Sequence, residues 1–187
     1  MRSRTAADIG TLDLALQLAV KNFGHVVLLD IGVHDGDNAQ AMVAVIEAAG
    51  GTVQYHGVDN LRDHGLTTCP IPGGRLYLGD SAELMDSILA EPNFVSIDGC
   101  HCINHAILDF LHYGSSVPVH GLVTFHDTDP QLHRNDYQGH GPRIPRFCTA
   151  GVGMALERLD LPNRDWRLVL ENGADGGWGG TRVFQRQ

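Results

Sequence analysis

A run of apolar residues that ends in an acid and two glycines constrains this chain more than any other feature. Residues 26–36 read Val-Val-Leu-Leu-Asp-Ile-Gly-Val-His-Asp-Gly. Four apolar, mostly branched residues in succession predict a strand buried on both faces, as in a parallel sheet. Residues 39–49 have a helical composition, so the glycines lie at a strand-to-helix turn. Glycine there lets the backbone approach a ligand, although a tight turn without a ligand would have the same sequence.

Further strands and helices alternate along the chain. Ser81 has the character of a helix N-cap, and Pro92 ends the segment that follows it. Alternation of this kind predicts a doubly wound α/β sheet of seven strands. The predicted helices are 6–22, 39–49, 81–89, 103–113 and 147–159, and the predicted strands are 26–30, 52–59, 75–80, 94–99, 121–127, 166–171 and 181–185.

Acidic residues mark the ends of the first five predicted strands. In doubly wound sheets, ligands bind outside the carboxyl ends of the strands. A single acid at such a place is more often a plain turn residue. Five in succession on one edge of one sheet indicate a binding site instead. These acids are Asp30, Asp59, Asp80, Asp98 and Asp127.

Length and charge narrow the classes of function. The 187 residues fit one domain with a sizeable core, and no apolar run approaches the roughly 20 residues of a membrane span. The net charge of -9 argues against nucleic acid as the main partner. The N-terminus lacks the apolar region of a signal peptide, so we expect a cytoplasmic protein with reduced cysteines.

The motif Asp30-x-Gly32-x-x-x-Gly36 resembles the first motif of class I S-adenosylmethionine (SAM)-dependent methyltransferases. With the acids at the strand ends, the resemblance covers nearly the whole chain. It implies one methyltransferase-like domain over residues 1–187, with a Rossmann-like, mostly parallel sheet and a closing antiparallel strand pair. Residues 1–22 would hold an N-terminal helix and residues 130–146 an active-site loop.

The resemblance also implies which residues hold the cofactor SAM. The acid that ends the second strand binds the ribose hydroxyls in this family, and Asp59 matches it. The end of the third strand contacts the adenine, and Asp80-Ser81 matches that place. A carboxylate suits both tasks, because it accepts hydrogen bonds from hydroxyls or from an exocyclic amine. The implied cofactor residues are Asp30, Gly32, Gly36, Asp59, Asp80 and Ser81.

Two segments, residues 96–101 and 125–128, resemble the metal-dependent O-methyltransferases of the catechol and macrolide-sugar types, and cephalosporin-hydroxylase-like proteins. The resemblance implies that Asp98 binds a divalent metal together with His126 and Asp127, and Asp129 is an alternative third ligand. An all-oxygen site suits Mg²⁺. Inclusion of His126 makes Mn²⁺ or Fe²⁺ easier to accommodate.

The catalytic base is expected three residues beyond the metal-binding acid, where the relatives carry lysine or histidine. His101 occupies this place and could accept the proton of an acceptor hydroxyl. The alternative is a histidine that caps the following helix. His101 and His105 also form an i,i+4 pair that could bind zinc, but the glutamate of the H-E-x-x-H motif is missing.

The predicted function is methyl transfer from SAM to a hydroxyl of a small molecule, assisted by a divalent metal. One alternative is a metal-dependent hydroxylase or hydrolase that uses Asp98, His126 and Asp127 without the methyl donor. Another is a non-catalytic relative that binds a nucleotide or a protein partner. The acceptor, and whether the protein forms a homo-oligomer, are open at this point.

Overall fold

Helices and strands alternate along the computed structural model, which describes residues 6–60, 66–88, 90–128, 151–173 and 179–187. Within these ranges, no helix has both the length and the apolar character needed to cross a membrane. The elements are α1 (Ala6–Phe23), β1 (His25–Ile31), α2 (Asp37–Ala48), β2 (Thr52–Asp59), β3 (Arg75–Leu78), β4 (Phe94–Ile97), α3 (Ile103–His112), β5 (Leu122–His126), α4 (Val152–Leu159), β6 (Trp166–Asn172) and β7 (Thr181–Arg186).

The seven strands form one sheet in the order β3-β2-β1-β4-β5-β7-β6. Strands β1 to β5 pair in parallel, whereas β7 runs antiparallel to both β5 and β6. This confirms the predicted doubly wound, mostly parallel sheet with antiparallel pairing at its end. The strand order reverses between β1 and β4, which places a crevice at the carboxyl ends of the central strands.

Apolar side chains cover both faces of the sheet. Leu28 belongs to one core layer, which also contains Leu16 of α1 and Met42 of α2. The next residue of β1, Leu29, belongs to the other layer together with Phe110 of α3. Both leucines of β1 are fully buried, as the unbroken apolar run predicts for a central parallel strand.

The helix predicted over residues 81–89 is wrong. The chain forms only a 3₁₀ helix, Met85–Ser87, in this region, and Leu89 lies outside the described residues. Ser81 caps no helix, because its hydroxyl donates a hydrogen bond to Asp109 (2.6 Å) and its carbonyl accepts one from the hydroxyl of Tyr113 (2.5 Å). A segment this short has little helical stability of its own, so these contacts with α3 decide its conformation.

Candidate active site

The turn after β1 needs both of its glycines for reasons of backbone geometry. Gly32 has a φ of 95° and Gly36 a φ of 90°, values that side chains rarely tolerate. A Cβ atom on Gly32 would collide with the backbone carbonyl of Asp98, and one on Gly36 would lie 2.5 Å from Cβ of Pro70. Gly32 therefore lets the end of β1 pack directly against Asp98, which follows β4, and Gly36 lets the turn pack against Pro70.

Asp59, at the end of β2, is fixed to this turn. Its Oδ2 atom accepts a hydrogen bond of 2.7 Å from the backbone N–H of His34, which has a left-handed φ of 61°. The backbone N–H of Gly79 donates to the carbonyl of Asp59 (2.9 Å) and ties the end of β3 to it. The sequence did not indicate the contact between His34 and Asp59, because only the folded chain brings the backbone amide of His34 to that carboxylate.

Asp80 and Ser81 follow β3 but have different surroundings. The side chain of Asp80 is 40% exposed, and its Oδ2 lies 3.5 Å from Nε2 of His105. The hydroxyl of Ser81 is directed to α3, where it donates to Asp109. The carboxylates of Asp59 and Asp80 thus lie at the ends of neighbouring strands, whereas the Ser81 hydroxyl is engaged by a buried acid.

Asp30 lies within the core instead of at the open edge of the sheet. Its exposed fraction is 1%, and its Oδ2 accepts a hydrogen bond of 3.0 Å from the hydroxyl of Tyr55 on β2. Burial raises the pKa of Tyr55, and the negative charge of Asp30 raises it further. The tyrosine hydroxyl therefore stays a donor, and Asp30 joins β1 to β2 beneath the turn.

Two acids and a histidine meet where β4 and β5 end. The parallel register pairs Ile97 with Phe125, so the residues that follow, Asp98 and His126, lie side by side. Nδ1 of His126 lies 3.1 Å from Oδ1 of Asp98 and 3.1 Å from Oδ1 of Asp127. The three predicted metal ligands therefore form one cluster.

His101 completes this cluster from the segment before α3. Its Nδ1 lies 2.7 Å from Oδ2 of Asp127, and its Nε2 lies 3.3 Å from Oδ1 of Asp98. The alternative role as a helix cap belongs to Cys102, whose Sγ atom accepts the backbone N–H of His105 at 3.4 Å. His101 is thus aimed at the two carboxylates.

The two acids of the cluster raise the pKa values of both histidines. Burial acts to lower the pKa of His101, but hydrogen bonds to Asp127 and Asp98 outweigh it and raise the pKa to about 10. Burial also opposes protonation of His126, yet Asp98 and Asp127 raise its pKa to about 9. Burial favours the neutral form of Asp127, but its hydrogen bonds to the two histidines hold its pKa far below the ordinary value.

The donor atoms fit a divalent cation in type, and two of the separations between them fit as well. Two ligand atoms bound at right angles, each about 2.1 Å from one ion, lie about 3 Å apart. The separations between Nδ1 of His126 and the Asp98 and Asp127 oxygens match this value. Asp127 also has a left-handed φ of 54°, a strained conformation of the kind found at binding sites. The alternative ligand, Asp129, lies outside the described residues.

Comparison with known proteins shows the fold of the chain. No family model matches the sequence, and no curated protein matches it. Among solved structures, one similar protein is the O-methyltransferase TomG from Streptomyces achromogenes, which is involved in tomaymycin synthesis and was solved with SAM. Its sequence is 14% identical at a TM-score of 0.66, and the match covers 99% of this chain and 82% of TomG. A putative O-methyltransferase from Klebsiella pneumoniae is 13% identical at a TM-score of 0.64, and the match covers 100% of this chain and 82% of that protein.

A third similar structure contains a metal. MycE methyltransferase from the mycinamycin biosynthetic pathway, solved with Mg and S-adenosylhomocysteine (SAH), is 20% identical at a TM-score of 0.58. The match covers 93% of this chain and 48% of MycE, so the chain spans about half the length of that protein. At these identities the comparisons show that the chain has the fold of SAM-dependent O-methyltransferases.

Proposed function

We propose that this protein is a methyltransferase that transfers a methyl group from SAM to a hydroxyl of a small molecule, with a divalent cation as a second cofactor. One observation carries the proposal. The turn-bound carboxylate of Asp59 and the cluster of Asp98, His126 and Asp127 lie at the same carboxyl edge of one sheet. A sheet of the same fold occurs in TomG with SAM and in MycE with Mg and SAH.

The cofactor would lie along the ends of β1, β2 and β3. The backbone of the Gly32–Gly36 turn would form the surface against which the cofactor lies. Asp59 would accept hydrogen bonds from the ribose hydroxyls. Asp80, partly exposed at the end of β3, would accept one from the adenine amine. Asp30 and Ser81, which were predicted as cofactor residues, would act by holding β2 and α3 in place.

The divalent cation would be held by oxygens of Asp98 and Asp127 and by a ring nitrogen of His126. When bound, SAM supplies an activated methyl group and the cation lowers the pKa of the acceptor hydroxyl. The two carboxylates and the imidazole orient the acceptor next to the cofactor edge, and alignment accounts for much of the catalysis. The nitrogen ligand favours Mn²⁺ or Fe²⁺ relative to an all-oxygen site, although Mg²⁺ is compatible with two carboxylates.

His101 would take the proton from the acceptor hydroxyl. Its contacts with Asp98 and Asp127 keep the ring protonated in the metal-free chain, so it must lose that proton before it can act as a base. This loss becomes easier when the two carboxylates carry a divalent cation, because their negative charge is then compensated. His101 would be the catalytic residue, with Asp127 as the group that orients it.

The acceptor is proposed to be a small molecule. A further MycE structure holds Mg, SAH and mycinamycin VI, and the net charge of -9 opposes binding to nucleic acid. Residues 130–146, which lie outside the described ranges, would form the loop that covers the acceptor. Residues 1–187 would form a single domain. A cytoplasmic location stays a prediction.

The test is a transfer assay with radiolabelled methyl-SAM and a panel of catechols, sugars and polyketides, each with Mg²⁺, with Mn²⁺ or with EDTA. We expect a methylated product only with SAM and metal, identified by the mass of one added methyl group. A product that forms without SAM and carries an added oxygen, or that results from hydrolysis, would instead favour the metal-dependent alternative. The Asp165→Asn variant should keep the methyl-transfer activity, because Asp165 precedes β6 at the opposite edge of the sheet.

A further inference from the structure

A second group of potential metal ligands lies at the start of α3 and is distinct from the Asp98 cluster. It consists of Cys100, Cys102 and His105, whose ligand atoms all lie within 4.8 Å of one another. Sγ of Cys102 is 3.0 Å from Nδ1 of His105. Cys102 is fully buried, whereas Cys100 and His105 are partly exposed, so solvent reaches one side of the group.

Helix geometry brings these side chains together. Cys102 is the N-cap of α3, and His105 lies three residues later on the same face. Cys100 precedes the cap by two residues, in the segment that connects β4 to α3. The N-terminus of a helix stabilises negative charge, which favours thiolate ligands at this place.

The ring of His105 is oriented as in a metal-binding histidine. Its Nδ1 faces the sulfur of Cys102, and its Nε2 lies 3.5 Å from Oδ2 of Asp80. Metal-binding histidines commonly donate their second N–H to a carboxylate, which fixes the ring and increases its basicity as a ligand. The carboxyl group of the fully buried Asp109 lies one further turn along α3.

We propose that Cys100, Cys102 and His105 bind a thiophilic metal ion, with Zn²⁺ as the best match, and that Asp80 orients His105 from outside the ligand set. Thiolates and imidazole favour Zn²⁺ over the hard cations that suit the Asp98 cluster. Zn–S and Zn–N distances of about 2.3 Å and 2.0 Å place the two atoms about 3.5 Å apart in a tetrahedron. Zn²⁺ binding would therefore require the 3.0 Å separation to widen towards this value.

The test is a Co²⁺ titration of the reduced, metal-free protein without SAM, so the result is independent of the proposed methyl transfer. Thiolate ligands give Co²⁺ a charge-transfer absorption in the near ultraviolet, which oxygen and nitrogen ligands do not. We expect this band to appear on Co²⁺ addition and to be displaced by Zn²⁺. It should persist in Asp98→Asn and saturate there at one ion per chain, because that substitution weakens Co²⁺ binding at the other site.

Ligand variants identify the residues responsible. Cys100→Ser and Cys102→Ser should each reduce the charge-transfer absorption and lower the Co²⁺ affinity. Serine preserves the helix cap at position 102, so the helix should remain, as measured by circular dichroism. Cys69→Ser is the matched control and should leave the band unchanged, because Cys69 lies beside Tyr55 and Gly74. Asp80→Asn should retain the band but weaken Co²⁺ affinity about 10- to 100-fold.

Two results would overturn the proposal. One is the absence of a thiolate-to-cobalt band in the reduced wild-type protein. The other is a band that survives in the Cys100→Ser and Cys102→Ser proteins or disappears in Cys69→Ser, since the metal would then bind elsewhere.

Discussion

Nδ1 of His101 lies 2.7 Å from Oδ2 of Asp127, although the two residues follow different strands of the sheet. The contact exists because β4 and β5 are parallel neighbours whose carboxyl ends meet at one edge. Asp127 fixes the direction of the ring, and Asp98 contacts the other ring nitrogen at 3.3 Å. The two carboxylates therefore fix the ring of His101 beside the proposed metal site.

Replacement of His101 tests whether this ring acts as the base. His101→Asn keeps an N–H donor for Asp127 but cannot accept a proton at neutral pH. We expect turnover with an accepted substrate to fall about 10²- to 10⁴-fold, the usual contribution of a general base, while SAH affinity stays the same. Turnover should be measured by methyl transfer and affinity by calorimetry. Unchanged turnover, or an equal loss in SAH affinity, would show that His101 has a structural role.

Replacement of Asp98 tests the metal site. In Asp98→Asn, the cluster loses one of its two negative charges and a strong oxygen ligand. We expect Mn²⁺ affinity to fall at least about 100-fold, as measured by the paramagnetic resonance signal of free Mn²⁺. SAH affinity should change little, because Gly32 packs against the backbone of Asp98, which the substitution preserves. The metal assignment fails if Asp98→Asn binds Mn²⁺ as tightly as the wild type.

The sheet and the strand-end acids could be predicted from sequence because they depend on local patterns. The buried run of β1 and the acid after each strand are both visible in the chain, and parallel strands bring their carboxyl ends to one edge. Asp98 and Asp127 therefore meet as expected.

Contacts between distant segments could not be predicted in the same way. Nothing local shows that Ser81 bonds to Asp109 on α3, and the helix predicted from Ser81 was wrong for this reason. Asp30 has the spacing of an edge residue, yet its side chain turns into the core towards Tyr55. The convergence of Cys102 and His105 follows from helical spacing, but only the structure adds Asp80 on the far side of the ring.

Glycine-to-alanine substitutions test the packing of the turn after β1. Gly32→Ala places a Cβ atom against the carbonyl of Asp98 at a left-handed φ, so we expect a loss of about 2 kcal/mol or more in the free energy of unfolding. Gly10→Ala is the matched control. Gly10 lies within α1 with open space around it, and alanine there should stabilise by about 0.5 to 1 kcal/mol. Urea denaturation measures both, and equal effects would contradict the proposed packing.

Asp109 should make the free energy of unfolding depend on pH. Burial raises its pKa to about 7, even though the hydrogen bond from Ser81 opposes this shift. The folded chain therefore binds the Asp109 proton more tightly than the unfolded chain, where the pKa is about 3.9. The resulting stability is complete below about pH 4 and is lost as the pH rises through 7.

Asp109→Asn keeps an acceptor for Ser81 and removes this titration. The variant should match the wild type near pH 4 and exceed it at pH 8 by on the order of 2 to 4 kcal/mol, because one pKa unit corresponds to about 1.4 kcal/mol. Urea denaturation in EDTA at the two pH values measures the difference. A variant that is less stable than the wild type at pH 8 would show that the Asp109 carboxylate is needed in its charged form.

Calorimetric titration with SAH is the decisive test of cofactor binding, because it needs no knowledge of the acceptor. We expect saturable binding at one SAH per chain, marked weakening in Asp59→Asn through loss of the ribose contact, and wild-type affinity in Asp165→Asn at the opposite sheet edge. Absence of SAH binding to the folded wild-type protein, or equal binding by Asp59→Asn, would contradict this expectation.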